Sequence, residues 1–447
     1  MKHSLRLLLV AVSATVVAGC RQHLSESAAF PSSSVACQAA LAPGGHAQPI
    51  DRTIAALQER ARRSPSKRDA LEQLGYQFVA RARAANDPGD YILAERVATC
   101  LDEQQPGDPA ALLLRGHALH QLHRFHEAEV IARTLVTKRE FVLDYALLGD
   151  ALMEQGRLPE AATAYQKMID LKPFYQSYTR AAHLRWLTGD VNGAIELTRK
   201  AIEAASPRNP EAIAWAYTRL GAYELQRGEP SQAMRAVDAA LSFQPGYAAA
   251  LLMRGRALLT VNQPGEAVRA LEQAASLNPL PEYLWTLADA LRRQGQESKA
   301  ASVEHQLLEG GTATDPRTVA LFLATRGIEQ QHAVELTERE LTVRRDVFTE
   351  DAHAWALASA RRFDEAGTAM EQALSAHTND ARLFLHAGII AASTGRRAEA
   401  RRWLTQADRL RWTLLPSELD ILRTHGSWFQ NAKSRAALKT GATTHEM

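Results

Sequence analysis

Lysine is scarce in this chain: nine of its 52 cationic residues are Lys and the other 43 are Arg. The positive charge is therefore carried on planar guanidinium groups, which favour bidentate pairing with carboxylates. Neither sign of charge is in excess. There are 52 Lys and Arg against 50 Asp and Glu, and without Lys2 and Arg6 the two counts are equal at 50. A neutral chain lacks the basic footprint of a nucleic-acid binder. Long apolar runs are missing after the first twenty residues, which excludes a multi-span membrane protein. The 46% hydrophobic and 23% charged content is that of a soluble folded chain. Catalytic signatures are missing as well: there is no phosphate-cradling Gly loop ending in Lys-Ser/Thr, no nucleophile elbow and no His-Glu-x-x-His helix. The expectation is a protein that is not an enzyme and that uses no cofactor.

What is present begins at the N-terminus. Lys2, His3 and Arg6 precede an apolar run from Leu7 to Ala18 that ends in Val17-Ala18-Gly19-Cys20. This is an export signal. At about 1.5 Å per residue the run spans roughly 18 Å, short of the roughly 30 Å hydrocarbon core of a bilayer. Val-Ala-Gly-Cys resembles the bacterial lipobox, in which cleavage before the Cys leaves it as an acylated first residue. The resemblance implies a signal peptide over 1–19 and a lipid on Cys20, and Arg21 after it favours the outer membrane, facing the periplasm, in a two-membrane cell. Of the three cysteines this leaves Cys37 and Cys100, either as a disulfide in an oxidising compartment or as two small buried thiols. Residues 20–49, rich in Ser, Ala, Gln, Gly and Pro, read as a tether with a short helix near Cys37 to Leu41.

From residue 50 to 410 the chain repeats. Ala94, Ala128, Ala161, Ala194, Ala233, Ala267, Ala300, Ala333, Ala366 and Ala400 recur at spacings of 33 or 34, with one of 39. Twelve residues before each lies Ala or Gly, except at Leu321. Small residues at both points let two antiparallel helices approach closely, and turns such as Gln155-Gly156-Arg157 join them. About ten helical hairpins follow, stacked into one all-α solenoid because a single hairpin cannot bury its own apolar face. The long spacing falls at Ser206-Pro207-Arg208-Asn209-Pro210, an irregular loop by composition. Around Leu321 and Ala354 the first helix looks short and a closing Pro is missing. Residues 411–447 read as a cap from Trp412 to Phe429 followed by a frayed tail from Lys433.

These residues resemble the tetratricopeptide repeat, and the third unit, with Tyr145, Leu148, Gly149, Ala161, Tyr165 and Pro173, is nearly ideal. The stretches His123-Arg124-Phe125, Tyr178-Thr179-Arg180, Leu187-Thr188-Gly189-Asp190 and Trp355-Ala356-Leu357 also resemble a group of exported bacterial repeat proteins of unassigned activity. The family resemblance implies an α-α superhelix with a concave groove lined by one face of each first helix. Carried onto this chain, that face holds His117, His120, Met153, His183, Trp186, Trp215, Leu225, Arg256, Trp285, Asp289 and Arg292. Trp and Arg suit peptide binding, and the same Trp residues would equally serve inter-repeat packing. The family's Lys/Asn carboxylate clamp matches no unit, which disfavours chaperone-tail binding.

His117, His120, His123 and His126 recur every three residues, but only the first two sit where they could share an ion, so no metal is expected. Arg185 and Glu224 stand at equivalent positions of successive units and are candidates for an ion pair. Together these features point to a scaffold that binds other envelope proteins through its groove, touches the membrane by its lipid alone, and assists assembly of a pilus, secretion or surface-polymer machine. The alternative from another class is a glycan or small ligand in the same groove. A Cys20→Ala form is expected to leave the membrane fraction of lysed cells and appear in the soluble one. Retention with membranes would sink the anchor.

Overall fold

The computed structural model describes residues 34–43, 49–64, 68–85 and 87–425. The export signal, Cys20 and the tail from Lys433 lie outside the described residues, as does the end of the expected cap. Two helices lead in, α1 (Val35–Leu41) and α2 (Pro49–Arg63). Ten hairpins follow: α3 (Arg68–Ala85) with α4 (Pro88–Gln104), α5 (Pro109–Gln121) with α6 (Phe125–Lys138), α7 (Val142–Glu154) with α8 (Leu158–Leu171), α9 (Tyr175–Leu187) with α10 (Val191–Ala204), α11 (Pro210–Gln226) with α12 (Pro230–Phe243), α13 (Ala248–Thr260) with α14 (Pro264–Leu277), α15 (Pro281–Arg293) with α16 (Glu297–Thr314), α17 (Pro316–Arg326) with α18 (Gln330–Val343), α19 (Val347–Ser359) with α20 (Phe363–Leu374), and α21 (Ala381–Ser393) with α22 (Arg397–Arg409). A 3-10 turn at Arg411–Thr413 and α23, over 416–425, close the chain. Among the described residues there is no strand.

The repeat register has a direct packing cause. A methyl group on Gly149 of α7 would run into the Tyr165 ring of α8. That ring is 2% exposed, and Ala161 one turn before it is fully buried. The small residue of the first helix is therefore the socket for the aromatic of the second, and the pair sets how closely the helices approach. Helix starts follow local chemistry. Asp108, Asn209 and Asp315 cap α5, α11 and α17 with their side chains, and Pro fills the first helical position of each. One sequence expectation needs correction. Much of the extra length before Ala233 extends α11, which has 17 residues where α9 has 13, so the surplus is absorbed as about one more helical turn and not wholly as loop. Within the stretch read as a tether, the short helix expected near Cys37 to Leu41 is α1, and it lays Cys37 and Ala40 into the core formed by α2 to α4. Cys37 is disulfide-bonded to Cys100 of α4, with Cα atoms 4.9 Å apart.

The solenoid winds tightly enough to touch itself. The Arg345 amide donates to the Glu154 carbonyl at 3.1 Å, joining the loop before α19 to the end of α7. Thr378 Oγ1 donates to the Leu187 carbonyl at 2.5 Å, and Asn379 Nδ2 to that of Gly189 at 2.8 Å, across 190 or more residues of sequence. Gln226 Nε2 donates to the Asn379 carbonyl. The cap extends this seam. Trp412 packs beside Leu225 and Met253, and the Ser417 amide and hydroxyl donate to Asp289 at 2.8 and 2.6 Å. The cap thus buries apolar surface of the last hairpin and also ties back to α11, α13 and α15. Of the two units that lack a closing Pro, the eighth supplies Arg344 and Arg345 to the seam and its first helix, α17, has 11 residues, whereas α19 of the ninth has 13 and is not shortened.

At the seam Gly156 has φ +74°, and a Cβ there would lie 2.5 Å from the Arg345 carbonyl oxygen. Gly156→Ala is therefore expected to cost about 1–3 kcal/mol and to raise hydrogen exchange at the Arg345 amide. Exchange unchanged at that amide would show that the contact contributes nothing.

Candidate functional site

Along the seam the groove forms a partly open cavity with two chambers. The larger encloses about 1040 Å³ between the ends of α7 and α9 and the segments 344–348 and 375–377. The smaller encloses about 480 Å³ between α11, α13 and α15 on one side and residues of α17 and α21 on the other. Trp186, Arg219, Arg317 and Phe348 line both and form the waist between them.

Trp186 is the centre of the waist. Its ring stacks on Phe348 with centroids 5.4 Å apart and planes 20° apart, and lies 5.3 Å from the His183 ring. The indole N–H donates to Gln226 Oε1 at 2.6 Å. The Arg219 guanidinium sits over Trp186 at 5.4 Å and over Tyr223 at 5.1 Å, a cation–π arrangement. On the opposite wall Arg317 reaches Asp346 at 3.2 Å. The α9 end of the larger chamber is braced by Arg180, which grips Asp150 through Nε and Nη2 at 2.8 and 2.6 Å. The Tyr165 hydroxyl donates to the same carboxylate at 2.7 Å. Burial opposes the charge on Asp150, but Arg180 holds it below the usual carboxylate range.

Of the groove residues expected from sequence, the structure places Met153, His183 and Trp186 on the larger chamber and Trp186, Trp215, Leu225, Arg256 and Trp285 on the smaller. It does not place His117, His120, Asp289 or Arg292 on either. Asp289 is 1% exposed and occupied by Arg326 and Ser417, and Arg292 is paired with Glu304. Leu225 and Trp285, although they line the wall, are 2% and 1% exposed and belong chiefly to the inter-hairpin core. The expected Arg185–Glu224 pair is corrected. Arg185 pairs instead with Asp190 at 3.2 Å, while buried Glu224 is reached by Arg199 at 3.0 Å and Arg227 at 3.4 Å. The His123 side chain is on the surface, and among the described residues no group of three or more His, Cys, Asp or Glu is arranged to hold a metal. Sequence reasoning missed Arg219, Arg317 and Phe348. Phe348 meets Trp186 across 162 residues of chain, and nothing in the repeat register announces that contact.

This is an all-helical repeat protein with an aromatic and cationic cavity. The tetratricopeptide repeat model matches residues 145–176, 252–315 and 352–413, which are the third, sixth and seventh, and ninth and tenth hairpins. These segments, together about a third of the chain, match the tetratricopeptide repeat. No curated protein matches it. Among solved structures it is similar to MamA, at 22% identity over 38% of this chain and 90% of that one, TM-score 0.31. It is also similar to YrrB, described as a TPR protein with an unusual peptide-binding site, at 15% identity over 41% and 92%, TM-score 0.30. PilW, described as a type IV pilus biogenesis factor, is 15% identical over 44% and 91%, TM-score 0.40. Each likeness spans less than half of this chain.

Groups on the cavity wall and behind it titrate. Burial, and then the neighbouring Arg219 charge, hold the His183 imidazole down at about 3. Burial, and then His120, hold His117 at about 4. Unfolded, both rings take a proton near 6.5, so the stability that goes with neutral rings is complete above that pH and is lost as pH falls toward 4. Glu154 acts in the opposite sense. Burial, and then Asp346, push its carboxyl up to about 7, so the fold is weakened as pH rises through 7. In thermal melts followed by circular dichroism, a His117→Gln/His183→Gln form is expected to lose less melting temperature than wild type between pH 6.5 and 4. Glu154→Gln is expected to melt higher than wild type above pH 7. Parallel curves for all three proteins would show that these groups do not set the pH dependence.

Proposed function

We propose that this protein is an interaction scaffold of the cell envelope that holds an extended segment of a client protein in its two-chambered cavity. The observation that carries the reading is the waist. Aromatic faces from two distant hairpins and guanidinium groups from two others meet between the two chambers, and such side chains dominate binding energetics when they line a cleft. Trp215, 38% exposed beside the smaller chamber, offers a further anchor. Rigid helices position every one of these side chains, so little entropy would be lost in ordering the site on binding. The envelope address rests on Val17-Ala18-Gly19-Cys20 and its resemblance to a lipobox. Assembly of a pilus, a secretion apparatus or a surface polymer is the task that suits an anchored peptide holder.

The experiment is crosslinking in living cells from a photoreactive residue at position 215, with mass spectrometry of what is captured. Trp186→Ala is the control. Trp285→Ala is unsuitable, because deleting a fully buried Trp costs about 3–5 kcal/mol and confounds binding with folding. Capture of envelope proteins by wild type, and their loss in Trp186→Ala, is the expected result. Absence of any Trp186-dependent protein, together with tryptophan fluorescence that responds to wall fragments, would overturn the scaffold in favour of a glycan reader.

A further inference from the structure

Seven arginines line the two chambers. Six have a carboxylate partner: Arg185 with Asp190, Arg256 with Glu282, Arg317 with Asp346, Arg344 with Glu340, Arg345 with Glu350 and Arg382 with Glu418. Arg219, at the waist, has none within 4.0 Å among the described residues. Its polar neighbours are the Tyr223 hydroxyl at 3.2 Å and His183 Nδ1 at 3.5 Å.

The repeat register explains why. Arg180 lies two residues before the small residue Ala182, and its partner Asp150 directly follows the small residue Gly149 of the preceding hairpin. Arg219 likewise lies two residues before Gly221, and the position that directly follows Ala182 in the preceding hairpin is His183. The same two positions meet in both places, with carboxylate in one and imidazole in the other. Burial keeps that imidazole neutral, so the Arg219 charge goes unmatched in a partly enclosed space, where an unmatched charge is costly. The guanidinium also lines both chambers at the waist and lies over the Trp186 and Tyr223 rings. An unmatched charge so placed calls for an occupant that supplies negative charge and hydrogen-bond acceptors.

We propose that Arg219 is a carboxylate-receiving site and that the cavity selects acidic peptide segments, with an aromatic side chain of the segment beside Trp186 and Phe348. The site differs from the Lys/Asn clamp of the family in using a different helix position and a single guanidinium. This proposal rests on the peptide-holding reading above and adds the chemistry of what is held.

The test uses purified full-length protein, tryptophan fluorescence, and two acetylated, amidated alanine-rich nonapeptides that differ only in a central Glu-Phe-Glu or Gln-Phe-Gln. Wild type should bind the acidic peptide at least roughly tenfold more tightly, the scale of one charge-assisted contact. Arg219→Met should erase the preference while leaving affinity for the Gln peptide unchanged. His183→Asp should erase it too, by giving Arg219 the internal partner that Arg180 has in Asp150, and should melt no lower than wild type. This second variant decides the matter if Arg219→Met fails to fold. Equal binding of both peptides by wild type, or a preference that survives either variant, would overturn the site while leaving peptide holding intact. Binding of neither peptide would remove the peptide reading and the site with it. Displacement of the acidic peptide by equimolar sodium glutamate would show a small-anion site and overturn the peptide as occupant.

Discussion

A hairpin of some 34 residues has too little surface to bury its own apolar face, and every other property of this molecule is a response to that constraint. Each unit must lie against the next, so side chains that touch neighbours on both sides, such as Ala161, Tyr165, Ala233 and Ala267, are held nearly dry. Ala or Gly at the crossing point allows the close approach, and the aromatic that fills the socket sets the angle. Ten such units in sequence make a continuous core without a globular centre. The angle repeated from unit to unit brings distant hairpins face to face, which is how a local packing rule creates the cavity.

The Arg-rich composition has its structural counterpart in the same architecture. Helices of successive units present polar positions to one another at fixed separations, and a planar fork reaches two carboxylate oxygens at once. Arg180 on Asp150 shows this geometry between successive units, and Arg139 on Asp144 shows it across the turn from one hairpin to the next. Such pairs contribute little net stability when partly buried, but they penalise any other register of one hairpin on the next. Register discrimination matters in a repeat array, where a slip by one unit would otherwise leave most contacts in place.

Helix order, hairpin boundaries and the residues at each crossing were legible in the sequence because they depend on neighbours within one or two repeats. The groove was legible in part. Met153, His183 and Trp186 fall on it because they occupy the inward face of their own helix, and that face follows from periodicity alone. Asp289 and Arg292 occupy the corresponding face and yet are taken up by Ser417, Arg326 and Glu304. Whether an inward position stays open depends on what the next turn of the superhelix brings against it. Phe348 and the segments around Arg345 and Asn379 are decided by cumulative rotation over some five or six hairpins. Small angular differences between units add up over that distance, and no short window of sequence contains their sum.

The seam also gives the molecule a mechanical character. Between turns of the superhelix the chain is hydrogen-bonded at a few places, among them Arg345 to Glu154, residues 378–379 to Leu187, Gly189 and Gln226, and Ser417 to Asp289, whereas within each hairpin two helices adhere along their whole length. A load applied between the two ends of the solenoid falls first on those few bonds, in the manner of a coil spring whose turns are lightly tacked together. Stretching would part the turns and spread Trp186 from Phe348 while every hairpin kept its core, so extension of the spring and opening of the cavity are one motion.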